Sequence, residues 1–310
     1  MKNLVNQPTA DSAPPASQGR LEQAWHDLRS SVKFRIRCLV HGRVISDTAA
    51  VFDRSPLDQI LAHSSELAYK PIRPYLIRGL GARGRLAAIK THFDTAEQLL
   101  TPQNFLQSHT EERAILEHQT ASGLMTITLG NPDSLYREAE WRLALNVNGQ
   151  RILEIGVTLV TPTALGLEGG APCVWIGIVK ASIKGDAALE PARKLTKDLE
   201  GIRPKSLLLM AAQAMARAFG MTALYGVANE GLVLANYMYM KKRVRADYDQ
   251  FWEESGGTRV SRHVFLLPMT KGQREISSYK MNKRAQARRR QELENNLNGN
   301  LENGFRMLMK

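Results

Sequence analysis

The spacing of apolar residues changes period along the chain. Between residue 21 and about residue 44, Trp25, Leu28, Val32 and Ile36 recur at helical spacing and predict one or two helices. Residues 56–120 hold several short helical patterns, interrupted by Pro71, Pro74, Gly79, Gly81, Gly84 and Pro102. At Ser122 the period becomes two. Residues 124–129, 138–147, 151–161 and 174–181 alternate or run apolar, with turn signals at Gly130-Asn131-Pro132, Asn148-Gly149 and Gly169-Gly170. Asn148-Gly149 is the strongest hairpin signal, so four antiparallel strands are predicted. A short helix around 190–199 follows, then a long Ala/Leu/Met helix opened by Pro204 and stopped by Gly220, a strand over 223–227, a helix from about Leu232 and a strand over 259–268. The fold class read from this order is α+β: a helical N-terminal half, then a mixed, mainly antiparallel sheet with packed helices. The predicted organisation is a disordered leader over 1–19, a mainly helical region over 20–120, an α+β region over 121–295 and a frayed tail over 296–310. A basic helix after Ser277, capped by Ser277 or Ser278, precedes that tail.

Composition narrows the partners. With 310 residues, 43% of them apolar, the chain is long enough for a sizeable core. Lys and Arg number 42 against 30 Asp and Glu, a net +12, which favours an anionic ligand: a phosphate-bearing cofactor, nucleic acid or acidic lipid. Cys38 and Cys173 are too few for a disulfide framework. The sequence has no secretory h-region and no run of 18 apolar residues, so no transmembrane segment is predicted. The expected location is the cytoplasm, with peripheral attachment to the inner membrane face left open. Seven histidines show no H-x-x-x-H pair, and no metal is expected. P-loop, Rossmann and G-x-S-x-G motifs are absent. The acid-free run from Lys70 to Lys90 reads either as a solvated face or as a phosphate-binding patch, and the cluster from Lys280 to Arg290 as a solvated face or a nucleic-acid-binding helix.

Two stretches carry candidate chemistry. Gly201, Arg203, Lys205 and Ser206 surround the start of the Pro204 helix, where free N–H groups and the positive dipole end favour an anion; the same pattern fits a core helix with a basic, solvated start. Glu138 and Glu140, two apart on an expected strand, share a face and are candidate general bases, or residues of an exposed sheet face. The element order resembles the GNAT type of N-acyltransferase. That resemblance implies coenzyme A or an acyl thioester at the start of the central helix. It also implies an Asn after the fifth strand and a Tyr about two helical turns later, which Asn229 and Tyr237 match, with Tyr239 a second candidate. The Q/R-x-x-G-x-G/A pyrophosphate motif of those enzymes is missing. The alternative is a non-enzymatic basic module that binds nucleic acid or anionic lipid.

A second resemblance rests on longer motifs. These are Arg73-Pro74-Tyr75-Leu76 with His92-Phe93, Tyr136-Arg137-Glu138, Leu195-Thr196-Lys197 with Gly201-Ile202-Arg203-Pro204-Lys205, Tyr248-Asp249 with Phe251-Trp252-Glu253, and Lys283-Arg284-Ala285 with Arg288-Arg289-Arg290. Together they resemble the VirK/YbjX family, also described as domain of unknown function 535, over roughly residues 60–290. His92-Phe93 stands where the family pattern has His-Tyr. The resemblance implies a bacterial cytoplasmic protein linked to virulence, envelope integrity or resistance to antimicrobial peptides, and it implies no particular reaction.

Overall fold

The structure is a computed structural model that describes residues 32–182, 189–233, 247–272 and 275–310. The chain divides into two units, Met1–Arg43 and Val44–Lys310. In the first, the described residues form a helix over 32–40. The leader expected over 1–19 lies outside the described residues.

The second unit is built on one sheet. Its elements run α1 (Gly42–Phe52, from Val44 onward in this unit), α2 (Leu57–His63), α3 (Ala82–Leu99), α4 (Pro102–Thr110), β1 (Glu112–Thr120), β2 (Gly123–Gly130), β3 (Trp141–Val147), β4 (Gln150–Val160) and β5 (Cys173–Ala181). They continue through α5 (Leu189–Asp198), α6 (Pro204–Ala218), β6 (Leu224–Val227), α7 (Tyr248–Glu254), β7 (Thr258–Arg259), β8 (Val264–Leu267) and α8 (Met281–Arg306). The strand order is β1-β2-β3-β4-β5-β6-β8-β7. Strands β1 to β5 form an antiparallel meander, β5 and β6 pair in parallel, and β8 pairs antiparallel with both β6 and β7. The α+β class with a mainly antiparallel sheet holds.

Register decides which residues face which layer. Leu129, Leu143 and Ile155 align across β2, β3 and β4, as do Trp141 and Val157, and this apolar row is fully buried or nearly so. Helix α6 packs along β3, β4 and β5, and the Trp141 ring lies 6.3 Å from that of Phe219 at the end of α6. Every residue from Leu207 to Ala216 is buried, because the sheet covers one side of α6 and α8 covers another. The opposite row, offset by one residue, carries charge: Arg142 lies beside Gly156, and Glu154 pairs in register with both Ala144 and Lys180. Arg142 bonds to Glu112 and Asp133, and its Nε lies 3.9 Å from Glu154.

Several expectations are corrected. The region expected to be helical through residue 120 ends in β1, whose charged sequence hides its period; β2 pairs one edge, and the close approach of Gly304 in α8 to the Ile115 carbonyl covers the backbone nearby. The strand expected over 259–268 is a hairpin of β7 and β8. The tail expected to fray over 296–310 is the second half of α8, held because Leu297, Leu301 and Phe305 recur on one face and are all fully buried. Neither Ser277 nor Ser278 caps that helix, since Lys280 occupies the N-cap position without a side-chain bond. The turn at Asn148-Gly149 forms as expected, with φ of 50° and 76°. The helix expected from Leu232 falls largely on residues outside those described.

Candidate functional site

The start of α6 follows from its sequence. Gly201, at φ +90°, closes α5 by donating its N–H to the Thr196 carbonyl at 2.8 Å and turns the chain toward α6, a conformation a side chain disfavours. Arg203 is the extended N-cap and Pro204 the first helical residue. The first backbone bond of the helix is from Leu207 N to Arg203 O, so the N–H groups of Lys205 and Ser206 have no intrahelical acceptor.

A cavity of about 1110 Å³ opens there, at the carboxyl end of β5 and beside α7. Four of the residues named from sequence, Gly201, Arg203, Lys205 and Ser206, line it together. Arg193, Lys271 and Arg290 bring its cationic side chains to five, against the carboxylates of Asp247 and Glu254. Lys271 and Arg290 both bond to Glu294, whereas Arg193, Arg203 and Lys205 have no carboxylate partner among the described residues. The Lys205 ammonium sits 5.6 Å from the Phe251 ring centre.

The parallel strands part before β5 ends, and α7 fills the gap. β5 and β6 are paired from Val174–Leu224 to Ile176–Gly226 and no further, although β5 continues to Ala181 against β4. The β4–β5 register shifts at Gly156/Val157, leaving Gly177 as an extra residue on β5. A side chain at Gly177 would collide with the Glu138 carbonyl, so glycine allows the segment before β3 to lie on this bulge. Past the bulge, the Tyr248 hydroxyl donates to Val179 O at 2.6 Å and accepts from Val179 N at 3.0 Å. Trp252 Nε1 donates to Val227 O at 2.7 Å. The two α7 aromatics thus satisfy backbone groups that strand pairing leaves behind.

Glu138 and Glu140 do not sit on β3. They lie in the turn that precedes it, held by Glu138 N and Ala139 N donating to the Leu135 carbonyl, and their environments differ. Glu138 is 9% exposed with no ion partner among the described residues. Burial pushes its carboxyl up to about 7, against the opposing pull of Arg137, Lys70 and Lys180. Glu140 is 1% exposed and bonds Lys70 Nζ at 2.7 Å; the same ammonium donates to Ala139 O at 3.0 Å and lies 4.6 Å from the Tyr75 ring centre. Burial lowers the Lys70 pKa, and Glu140 counteracts that. The Tyr75 hydroxyl lies against the Glu140 carboxylate outside hydrogen-bond geometry, and burial followed by that charge raises its pKa well above the ordinary value.

A buried histidine pair adjoins this cluster. Leu159 N donates to His92 Nδ1 at 3.1 Å, so His92 carries its proton on Nε2 and donates it to His109 Nε2 at 3.0 Å. His109 in turn donates from Nδ1 to Phe105 O at 2.8 Å. Both rings are neutral: burial lowers the His92 pKa well below 6.5 and brings His109 to about 4. Sequence reasoning missed Lys70, Tyr75, His109 and the role of Tyr248. Lys70 was visible only as one cation in a basic run, because its carboxylate partner is 70 positions away.

Asn229 is engaged elsewhere. Its Nδ2 donates to Asp247 at 2.8 Å, its Oδ1 accepts from Tyr248 N at 2.9 Å, and it fixes the start of α7 without lining the cavity. Tyr237 and Tyr239 lie outside the described residues. Of the basic C-terminal cluster, Arg289 pairs with Glu200 and Arg290 with Glu294. No described helix is long and apolar enough to cross a membrane, and no metal-holding cluster occurs among the described residues.

No solved structure matches the chain significantly. The chain is 26% identical over 282 residues to the uncharacterized protein YbjX of Escherichia coli (strain K12), covering 89% of this chain and 83% of the relative. The family described as "Protein of unknown function (DUF535)" matches residues 23–303, which include all the lining residues and carboxylates described above. The chain therefore belongs to this family, the VirK/YbjX family that its sequence motifs resemble.

Proposed function

We propose that the protein binds an acyl thioester, coenzyme A-like in carrying phosphates, at the start of α6 and transfers the acyl group in the manner of a GNAT-like enzyme. The observation that carries this reading is the cavity at the start of α6, lined by three cations with no carboxylate partner among the described residues and by the N–H groups of Lys205 and Ser206, which have no intrahelical acceptor. Arg193, Arg203 and Lys205 would hold the phosphates, with the N–H groups of Lys205 and Ser206 on one of them.

In this reading Glu138 is assigned the general base, because burial raises its carboxyl to about 7; its backbone lies on the β5 bulge, and its side chain is not among those that line the cavity. It takes the proton of an acceptor nucleophile as that atom bonds the thioester carbonyl carbon; the carbon–sulfur bond then breaks, and Tyr237 is assigned the protonation of the departing thiolate. Glu140, paired with Lys70, positions the turn rather than exchanging protons. A role in envelope integrity, virulence or antimicrobial-peptide resistance remains part of the proposal through the family resemblance.

Calorimetry with acetyl-coenzyme A and longer acyl forms tests the site. Saturable heat that weakens about tenfold or more in Arg203→Ala/Lys205→Ala supports it. No heat with any thioester, or unchanged affinity in that variant, refutes it. Arg193, Arg203 and Lys205, which have no carboxylate partner among the described residues, also suit the phosphates of nucleic acid or acidic lipid. That reading predicts binding that falls steeply with salt and ignores the thioester.

A further inference from the structure

A second cavity, of about 520 Å³, lies between the α2 region and the turn before β3. Its charges have the opposite sign to those of the first. Five carboxylates line it, Glu66, Glu111, Glu112, Asp133 and Glu140, against the cationic side chains Lys70 and Arg142. Most of the cationic donors are spent within the protein, Arg142 Nε, 3.9 Å from Glu154 without a hydrogen bond, being the exception. Lys70 Nζ serves Glu140 and Ala139 O, while the two terminal nitrogens of Arg142 serve Asp133 and Glu112. Other donors are spent too: Asn131 Nδ2 donates to His109 O, and His109 Nδ1 to Phe105 O.

Acceptors are left over. Glu140 is 1% exposed; one of its oxygens bonds Lys70, and its Oε1 has no hydrogen-bond partner, the Tyr75 hydroxyl lying against the carboxylate outside hydrogen-bond geometry. Glu111, at the rim, has no ion partner among the described residues. Arg73 and Arg151 bond Glu66 and Glu112 from outside the cavity, which reduces the negative charge without supplying a donor to its interior. A ligand that fits this wall brings hydrogen-bond donors and positive charge. Ile60, Leu67 and Phe93 supply an apolar side for its stem.

We propose that this cavity binds an organic cation: a primary ammonium directed at Glu140 Oε1 and the rim carboxylates, on a short apolar stem lying along Ile60, Leu67 and Phe93. The site stands apart from the thioester reading and does not require it. If that reading also holds, the amine is the acceptor, since Glu140 belongs to the same turn that places Glu138 on the β5 bulge. An amine reacts only in its neutral form, so such an acceptor must first lose the ammonium proton.

The test is calorimetry on the full chain at low salt with 1,5-diaminopentane, and with glutarate and 1,5-pentanediol as the anionic and neutral counterparts. Saturable binding of the diamine, weakened about tenfold or more in Lys70→Met/Glu140→Gln and severalfold in Glu111→Gln, supports the site. The double variant removes both buried charges together. Glu111 is exposed, so Glu111→Gln decides the matter should the double variant fail to fold. Absence of saturable binding by the diamine overturns the proposal, as does equal affinity in Glu111→Gln or a preference for glutarate. Because no thioester is present, these outcomes are independent of the acyl-donor experiment.

Discussion

Glu138→Gln should stabilise the protein at alkaline pH relative to acid pH. The carboxyl titrates at about 7 in the folded chain against an ordinary 4.5, because it is 9% exposed and lacks an ion partner among the described residues. The folded state therefore holds more protons than the unfolded state between these values, and stability is lost as pH rises through that window. Integrated from pH 5 to pH 8, the loss is about 2.5 kcal/mol for this group. Glutamine has no charge to desolvate. Its amide still needs partners, at a cost of about 1–3 kcal/mol that does not vary with pH, so the diagnostic is the pH difference rather than either absolute value. Urea unfolding of wild type and variant at pH 5 and pH 8 measures it. If the stability difference between the two proteins is the same at both pH values, or if the variant loses ground toward pH 8, the carboxyl is not held in a dry site and its assignment as base falls with it.

The histidine pair predicts a dependence of opposite sign. His109 titrates at about 4 when folded against 6.5 ordinarily, so its contribution is full above 6.5 and is lost as pH falls toward 4, by about 2 kcal/mol at pH 5; unfolding of the Glu138→Gln protein with and without His92→Gln/His109→Gln should give a flatter acid limb in the triple variant. Phe305→Ala, at a fully buried position of α8, should cost about 3–5 kcal/mol in denaturant unfolding, whereas Asn300→Ala on the exposed side should change stability by about 0.5 kcal/mol or less. Lys70→Ala strands Glu140 and should cost about 3–5 kcal/mol, with most of that recovered in Lys70→Met/Glu140→Gln when the same unfolding curves are compared.

Local patterning was enough for much of this protein. Pro204 and Gly220 bracket α6, Asn148-Gly149 makes the β3–β4 turn, and the period-two runs become β2 to β5, because propensity, turn chemistry and alternation are properties of neighbouring residues. The anion-site candidates Gly201, Arg203, Lys205 and Ser206 were legible for the same reason, as one helix start. Tertiary structure decided what sequence spacing cannot encode. The sequence of β1 reads as part of a helical region and becomes a strand through pairing with β2 and cover by α8, and the polar-looking tail becomes helix only because Leu297, Leu301 and Phe305 find a core to enter. Glu138 and Glu140, equivalent by position, are separated by their surroundings: Lys70 reaches one from 70 residues away, and the other is left dry with no ion partner among the described residues. Burial and long-range charge pairing set a carboxylate's chemistry, and both exist only once the chain is folded.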